Sequence, residues 1–147
     1  MKVYVKMLMA MIAFVVAGLV CGTSLAADEP AKARPSDYIQ AFYFHATYRC
    51  KTCTTLEQYS RETIEQNFKE QLGNGILRFT EINFDEPENR HFLQDYGLTY
   101  RALVLVRFKD GKQVSFKNLE KIWQLVGNKA DFSTYVKAEV EAYLKEL

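Results

Sequence analysis

The chain has 147 residues, 25% charged and 48% hydrophobic, with 19 Lys and Arg against 18 Asp and Glu. That length suits one domain with a modest single core. The net charge of +1 and the lack of a clustered basic run exclude a cationic nucleic-acid-binding face and a polybasic tail.

At the N-terminus, Lys2 and Lys6 precede the uncharged run "MLMAMIAFVVAGLV" (Met7 to Val20), and "TSLAAD" follows. Basic, apolar, then small is the order of a secretory signal peptide. Ser24 and Ala26 occupy the two small positions a signal peptidase needs, so residues 1–26 are predicted to be cleaved away. The apolar run is short of the roughly 20 residues of a membrane span, which disfavours the competing reading of an uncleaved anchor. Cys21 follows Val20 rather than a small residue, which argues against lipidation. Cleavage removes two lysines and no acid, so the remainder stays near neutral and keeps two cysteines, Cys50 and Cys53. The expected location is periplasmic or secreted, where cytosolic reductants are absent and a disulfide can persist.

Residues 27–37, with the mixed-charge, proline-containing "DEPAKARPSD", read as a flexible lead-in. Residues 38–147 read as the folded domain. "YIQAFYFHAT" is rich in aromatic and β-favouring residues and predicts a buried strand. From Cys50 the period changes: Leu56, Ser60, Ile64, Phe68 and Leu72 step by four along one helical face, and "GNG" at 73–75 stops it. "ILRFTEIN" predicts a second strand, and Pro87 opens a short helix that Gly97 ends. "ALVLVRF" suits a strand covered on both faces, and Asp110-Gly111 predicts a hairpin into "KQVSF". The remainder is helical with a break near Gly127-Asn128. Asp131 is the expected cap of the last helix, and Phe132, Val136, Val140 and Tyr143 form its inner stripe. Strand-helix alternation implies right-handed crossovers and a parallel start to the sheet, with the hairpin adding an antiparallel edge.

The cysteines carry the chemistry. A thiol at the start of a helix meets free backbone N–H groups and the positive end of the helix dipole, both of which favour the thiolate. Arg49 and Lys51 add positive charge on either side of Cys50, so its pKa is expected below the free value of about 8.5. Cys53, one turn later, is expected to be more covered. The pair can then divide roles, Cys50 attacking a disulfide and Cys53 resolving the mixed disulfide. Covalent haem attachment would need a histidine after Cys53, where Thr54 stands. A structural zinc site usually takes four ligands, and only His45 and His91 are available beside the two cysteines. A static disulfide is the serious competitor, although it would close only a small loop.

The strand and motif "FYFHATYRCKTC", with "INFDEPENRHFLQDYGL" and "ALVLVRFKDGKQV", resemble the thioredoxin-like superfamily from about Tyr38 to the C-terminus. The resemblance implies an α/β, three-layer sandwich: a mixed central sheet with helices on both faces. It implies dithiol–disulfide exchange with Cys50 as nucleophile and Cys53 as resolving cysteine. No organic cofactor is expected. The partners implied are protein thiols and disulfides of the cell envelope, with a membrane-embedded electron donor if the protein is a reductase.

Three departures from the family pattern stand out. "YGLTYRALVLV" lacks the family's cis-proline, and Ala102, or Arg101 beside it, takes the place; a cis bond there would cost roughly 3 kcal/mol, so a trans bond is expected. Arg49 replaces the tryptophan that usually precedes the motif. Phe44 stands where thioredoxins bury an acid, leaving the adjacent His45 as a substitute proton acceptor or as a histidine satisfied by backbone. A second function class remains in view: a metal-binding or delivery protein holding Cu(I) through Cys50, Cys53 and His45. A third is an interaction module with a static disulfide. Glu57 is expected in a surface salt bridge, His91 on a solvated helix side and Trp123 in the core. Tyr48 and Tyr100 are candidates for an apolar rim around the cysteines, with aromatic packing as the default.

Overall fold

Alternation along Tyr38–His45 decides which layer each helix joins. The computed structural model describes residues 35–147; the signal peptide and Cys21 lie outside the described residues. Strand β1 (Tyr38–His45) turns Ile39, Ala41 and Tyr43 into the larger of two apolar clusters and Phe44 into the smaller. The chain continues through α1 (Lys51–Asn67), α2 (Lys69–Asn74) and β2 (Leu77–Asn83). A 3-10 turn (Pro87–Asn89) and α3 (His91–Asp95) lead to the hairpin β3 (Ala102–Lys109) and β4 (Lys112–Asn118). A short α4 (Ile122–Leu125) and a long α5 (Lys129–Leu144) close the fold.

The sheet order is β2-β1-β3-β4. β1 pairs with β2 in parallel, from Ile39 opposite Leu77 to His45 opposite Asn83. It pairs with β3 antiparallel, which sets Phe44 opposite Ala102. The β3–β4 hairpin turns on Asp110 and Gly111, at φ +50° and +72°, the two left-handed positions that an Asp-Gly turn supplies at low cost. Leu56 and Ile64 of α1, with Phe132, Val136 and Val140 of α5, fill one side of the sheet. On the other side Phe44 meets Phe92 at 5.3 Å and Tyr96 at 5.6 Å between ring centroids. This is an α/β sandwich with a mixed sheet covered on both faces, the thioredoxin-like arrangement that the sequence led us to expect.

Two local expectations change. The helix after the cysteines does not run unbroken to the glycines. Phe68 leaves helical geometry at φ −128°, ψ 35°, although its N–H still bonds Ile64 O. Its ring is buried in the main cluster, so the break keeps Phe68 in the core while α2 turns away; Gly75, at φ +80°, then ends α2. The cap of α5 is Asn128, not Asp131. Asn128 Oδ1 accepts from the N–H groups of Ala130 and Asp131 at 3.0 and 3.4 Å, and its amide donates to Asp131 Oδ2 at 2.8 Å. Asparagine reaches the free N–H groups from outside the first turn, while Asp131 already sits within it. The expected inner stripe of Phe132, Val136, Val140 and Tyr143 is buried.

At the described end of the lead-in, Ser36 O accepts from Gly111 N–H at 3.0 Å and Asp37 Oδ1 from Asp110 N–H at 2.8 Å. Arg78 Nη2 donates to Pro35 O at 3.2 Å. These bonds tie residues 35–37 to the hairpin turn and to β2.

Candidate functional site: the Cys50–Cys53 pair

Cys50 ends the β1–α1 loop as the N-cap of α1, with extended backbone geometry at φ −86°, ψ 162°. Its Sγ accepts the N–H of Cys53 at 3.2 Å, so the sulfur does the work that a serine or aspartate oxygen does at other helix starts. Cys50 and Cys53 are joined in a disulfide with their Cα atoms 5.0 Å apart, within the span a disulfide bridges. The two sulfur-bearing residues differ in access: Cys50 is half-buried, whereas Cys53 is only 2% exposed.

Tyr43 supports the buried cysteine from below. Its hydroxyl donates to the Cys53 carbonyl at 2.9 Å, fixing the first turn of α1 to the central strand. Burial pushes the Tyr43 phenol well above its ordinary range, against the opposing pull of Arg49 and Arg101, so it stays a donor. Phe44, at the position of the family's acid, belongs to the aromatic cluster on the α3 side of the sheet. His45 is buried, and its Nδ1–H donates to the Ala46 carbonyl at 3.1 Å. Among the described hydrogen bonds it makes none to either sulfur. Burial, assisted by Arg49, lowers the His45 pKa.

The charges around Cys50 are arranged otherwise than the sequence suggests. Arg49 pairs with Glu57, one turn beyond Cys53. Glu57 is 14% exposed and also receives Arg61 at 3.3 Å, and Arg61 Nε continues to Glu81 Oε1 on β2 at 2.8 Å. Arg49 is thus one end of an alternating four-charge chain. Glu57 is in the salt bridge expected of it, although half-buried rather than on the open surface. Lys51 is exposed and enters no ion pair among the described residues.

Opposite the motif, no peptide bond is cis among the described residues, as expected for Arg101–Ala102. Ala102 is buried against Phe44. Arg101 Nη2 donates to the Tyr48 carbonyl at 2.6 Å, and the Arg101 carbonyl accepts the Trp123 indole N–H at 3.0 Å. Beside them lies a cleft of about 470 Å³ whose walls include Tyr100, Arg101, Ala102, Leu119, Glu120 and Trp123. Tyr48 and Tyr100 are 76% and 67% exposed, so neither is packed inside the core. Trp123 is half-buried and meets Tyr100 edge to face at 6.2 Å; it is a wall of the cleft as well as a flank of the core. His91 is exposed and pairs with Asp95 at 2.7 Å.

The Cys50, Cys53, His45 metal set is not assembled. Among the described residues, no three His, Cys, Asp or Glu side chains converge as ligands. The reasons are local: the sulfurs bond each other, and the imidazole is turned to a backbone carbonyl.

The strand order, the two helical layers and a Cys-x-x-Cys disulfide capping the first helix define a thioredoxin-like α/β domain. The chain matches no family model and no curated protein. Among solved structures it is similar to the thioredoxin pre-protein of Schistosoma mansoni, at 16% identity over 70% of this chain and 80% of that one, with a TM-score of 0.41. It is also similar to mitochondrial thioredoxin 3 of Saccharomyces cerevisiae, at 17% identity over 73% and 81% of the two chains and a TM-score of 0.40. Thioredoxin O2 of Arabidopsis thaliana shares 18% identity over 59% and 68%, with a TM-score of 0.39.

Proposed function

We propose that the protein is an exported thiol–disulfide oxidoreductase that exchanges the Cys50–Cys53 disulfide with protein thiols of the cell envelope. The observation that carries this reading is the unequal access of two bonded sulfurs on one helical turn: Cys50 half-buried at the helix N-terminus, Cys53 enclosed behind it.

Exchange then has a defined order. An incoming substrate thiolate attacks Cys50 Sγ, forms a mixed disulfide, and expels Cys53 as a thiolate that takes up a proton. A second substrate thiolate attacks the substrate sulfur of that mixed disulfide and releases Cys50 as a thiolate. The substrate dithiol loses two electrons and becomes a disulfide, and the protein gains them as a dithiol. In the reverse direction the Cys50 thiolate attacks a substrate disulfide and Cys53 resolves the product. The Cys50 thiolate is stabilised by the N–H group it already accepts and by the helix dipole. A membrane-embedded dithiol or disulfide partner resets the pair. Export is supported by the order of residues 1–26: basic start, uncharged apolar run, small cleavage residues.

The test is trapping. Cys53→Ala expressed from the full chain should accumulate mixed disulfides with envelope proteins that dithiothreitol releases, and the Cys50→Ala, Cys53→Ala double variant should accumulate none. No adducts from Cys53→Ala would sink the exchange reading; adducts confined to the cytosolic fraction would sink export.

A further inference from the structure

We infer that the Tyr43 hydroxyl is a positioning group for the redox pair: by holding the Cys53 backbone against the central strand, it favours the closed Cys50–Cys53 disulfide over the open dithiol. The inference rests on the reading of the pair as one that opens and closes.

Both backbone polar groups of Cys53 are engaged. Its N–H donates to Cys50 Sγ at 3.2 Å, and its carbonyl accepts the Tyr43 hydroxyl at 2.9 Å. Among the described residues, Tyr43 is the only one outside the motif whose side chain bonds Cys53. The two bonds tie different things together. The first is internal to the motif and moves with it. The second reaches across to β1, where Tyr43 stands between Glu81 of β2 and Leu103 of β3. A residue paired on both sides within a sheet has little freedom, and Tyr43 is also fully enclosed. Burial holds its phenol above the ordinary pKa, so the donor persists through the range in which thiols titrate. The next residues along β1 do not share the task. Phe44 is apolar and lies in the cluster on the other side of the sheet, and His45 is bonded to the Ala46 carbonyl.

The effect on the sulfurs follows from linkage. Closing the S–S bond fixes Cys53 where the hydroxyl reaches it. The hydroxyl in turn fixes Cys53 where Cys50 Sγ reaches it. Two events that favour the same geometry favour each other by the same factor. When the pair opens, the covalent tie is gone and Cys53 is freer to leave the phenol, so the bond is more fully made in the disulfide than in the dithiol. In exchange, Tyr43 raises the effective concentration of Cys53 Sγ at Cys50, both for closing the pair and for resolving a mixed disulfide. Its hydroxyl bonds the Cys53 carbonyl rather than a sulfur, so it is a positioning residue.

The experiment compares the wild type with Tyr43→Phe, which removes the hydroxyl and keeps the ring. A helix carbonyl already accepts the N–H four residues on, and the hydroxyl takes its second lone pair, so the variant leaves no orphaned acceptor. The purified proteins are equilibrated with reduced and oxidised glutathione: the Cys50–Cys53 dithiol gives two electrons and two protons to glutathione disulfide, which becomes two glutathione thiols. The constant for closing the pair should fall roughly threefold to tenfold in Tyr43→Phe, making it more oxidising by about 14–30 mV. The mixed disulfide of Cys50 with glutathione should also persist longer. Urea denaturation separates this from a general loss of stability: Tyr43→Phe should lose more stability as disulfide than as dithiol, by the same factor. Equal losses in the two redox states with an unchanged glutathione constant would make Tyr43 a structural tie only and overturn the inference, as would a constant that rises. Should Tyr43→Phe not fold, the wild type decides: the Tyr43 hydroxyl proton should exchange with water more slowly in the disulfide form than in the dithiol form, and equal or reversed rates overturn the inference. None of these readouts uses a protein substrate. A lowered constant with no trapped adducts from Cys53→Ala would reject exchange with envelope proteins and leave the role of Tyr43 standing, and trapped adducts with an unchanged constant would do the reverse.

Discussion

At the scale of single residues, the site is governed by what each polar group is bonded to more than by its place in the motif. His45 illustrates this. It is adjacent to the family's acid position, but its Nδ1–H is committed to Ala46 O and burial lowers its pKa. The folded chain therefore resists protonating His45, while the unfolded chain accepts a proton near the ordinary value of about 6.5. Stability from this group is present above about pH 6.5 and is lost as pH falls toward the folded pKa. Urea denaturation of the wild type should show a falling midpoint across that window, and His45→Asn should flatten it; an unchanged slope in His45→Asn would remove His45 as the cause. The Tyr43–Cys53 bond, the Arg49–Glu57 pair and the Arg101–Tyr48 bond were not legible in the sequence. The first depends on which face of β1 meets α1. The last spans 53 residues and exists only because the sheet register brings Ala102 opposite Phe44.

At the scale of elements, the order of strands and helices was legible because its signals are local: aromatic and β-favouring residues in "YIQAFYFH", period four from Leu56, and glycines at 75, 97 and 111 that all adopt positive φ. Ends of elements were less so. The break at Phe68 carries no Gly or Pro, and is set by the core that takes its ring. The α5 cap was misplaced because Asn128 and Asp131 are both good capping residues, and only the backbone path tells which precedes the first turn. Asn128→Ala should lower unfolding free energy by about 1 kcal/mol, measured by urea denaturation. Asp131→Ala should lower it less, and the reverse ranking would return the cap to Asp131. The cysteine motif was readable as strand end and helix start for the same local reason, and that placement fixed which sulfur is the cap. Which groups Arg49 and the Tyr48 carbonyl would bond was not readable, since Glu57 and Arg101 come from a later turn and another strand's loop.

At the scale of the whole molecule, stability comes from the sheet held between two unequal apolar layers. The larger joins α1 and α5 over β1 and β3; the smaller is the aromatic group under α3. Leu105, fully enclosed on the central strand β3, belongs to the first. Leu105→Ala should cost about 2–5 kcal/mol, read as a lower urea midpoint. A cost well below 1 kcal/mol would mean that the larger layer does not hold the fold. Sheet order has one more effect, at the outer strand. β4 is paired on one side only, and it exposes Val114 and Phe116 between Lys112 and Lys117. An outer strand with apolar side chains is a template for another copy to stack against, and lysine is a common deterrent because two like charges must then meet. Here the deterrent is uneven: Lys117 is bonded to Glu139 at 2.7 Å, while Lys112 enters no ion pair among the described residues. On β4 the deterrent charge left free is therefore Lys112, at the end beside the hairpin turn.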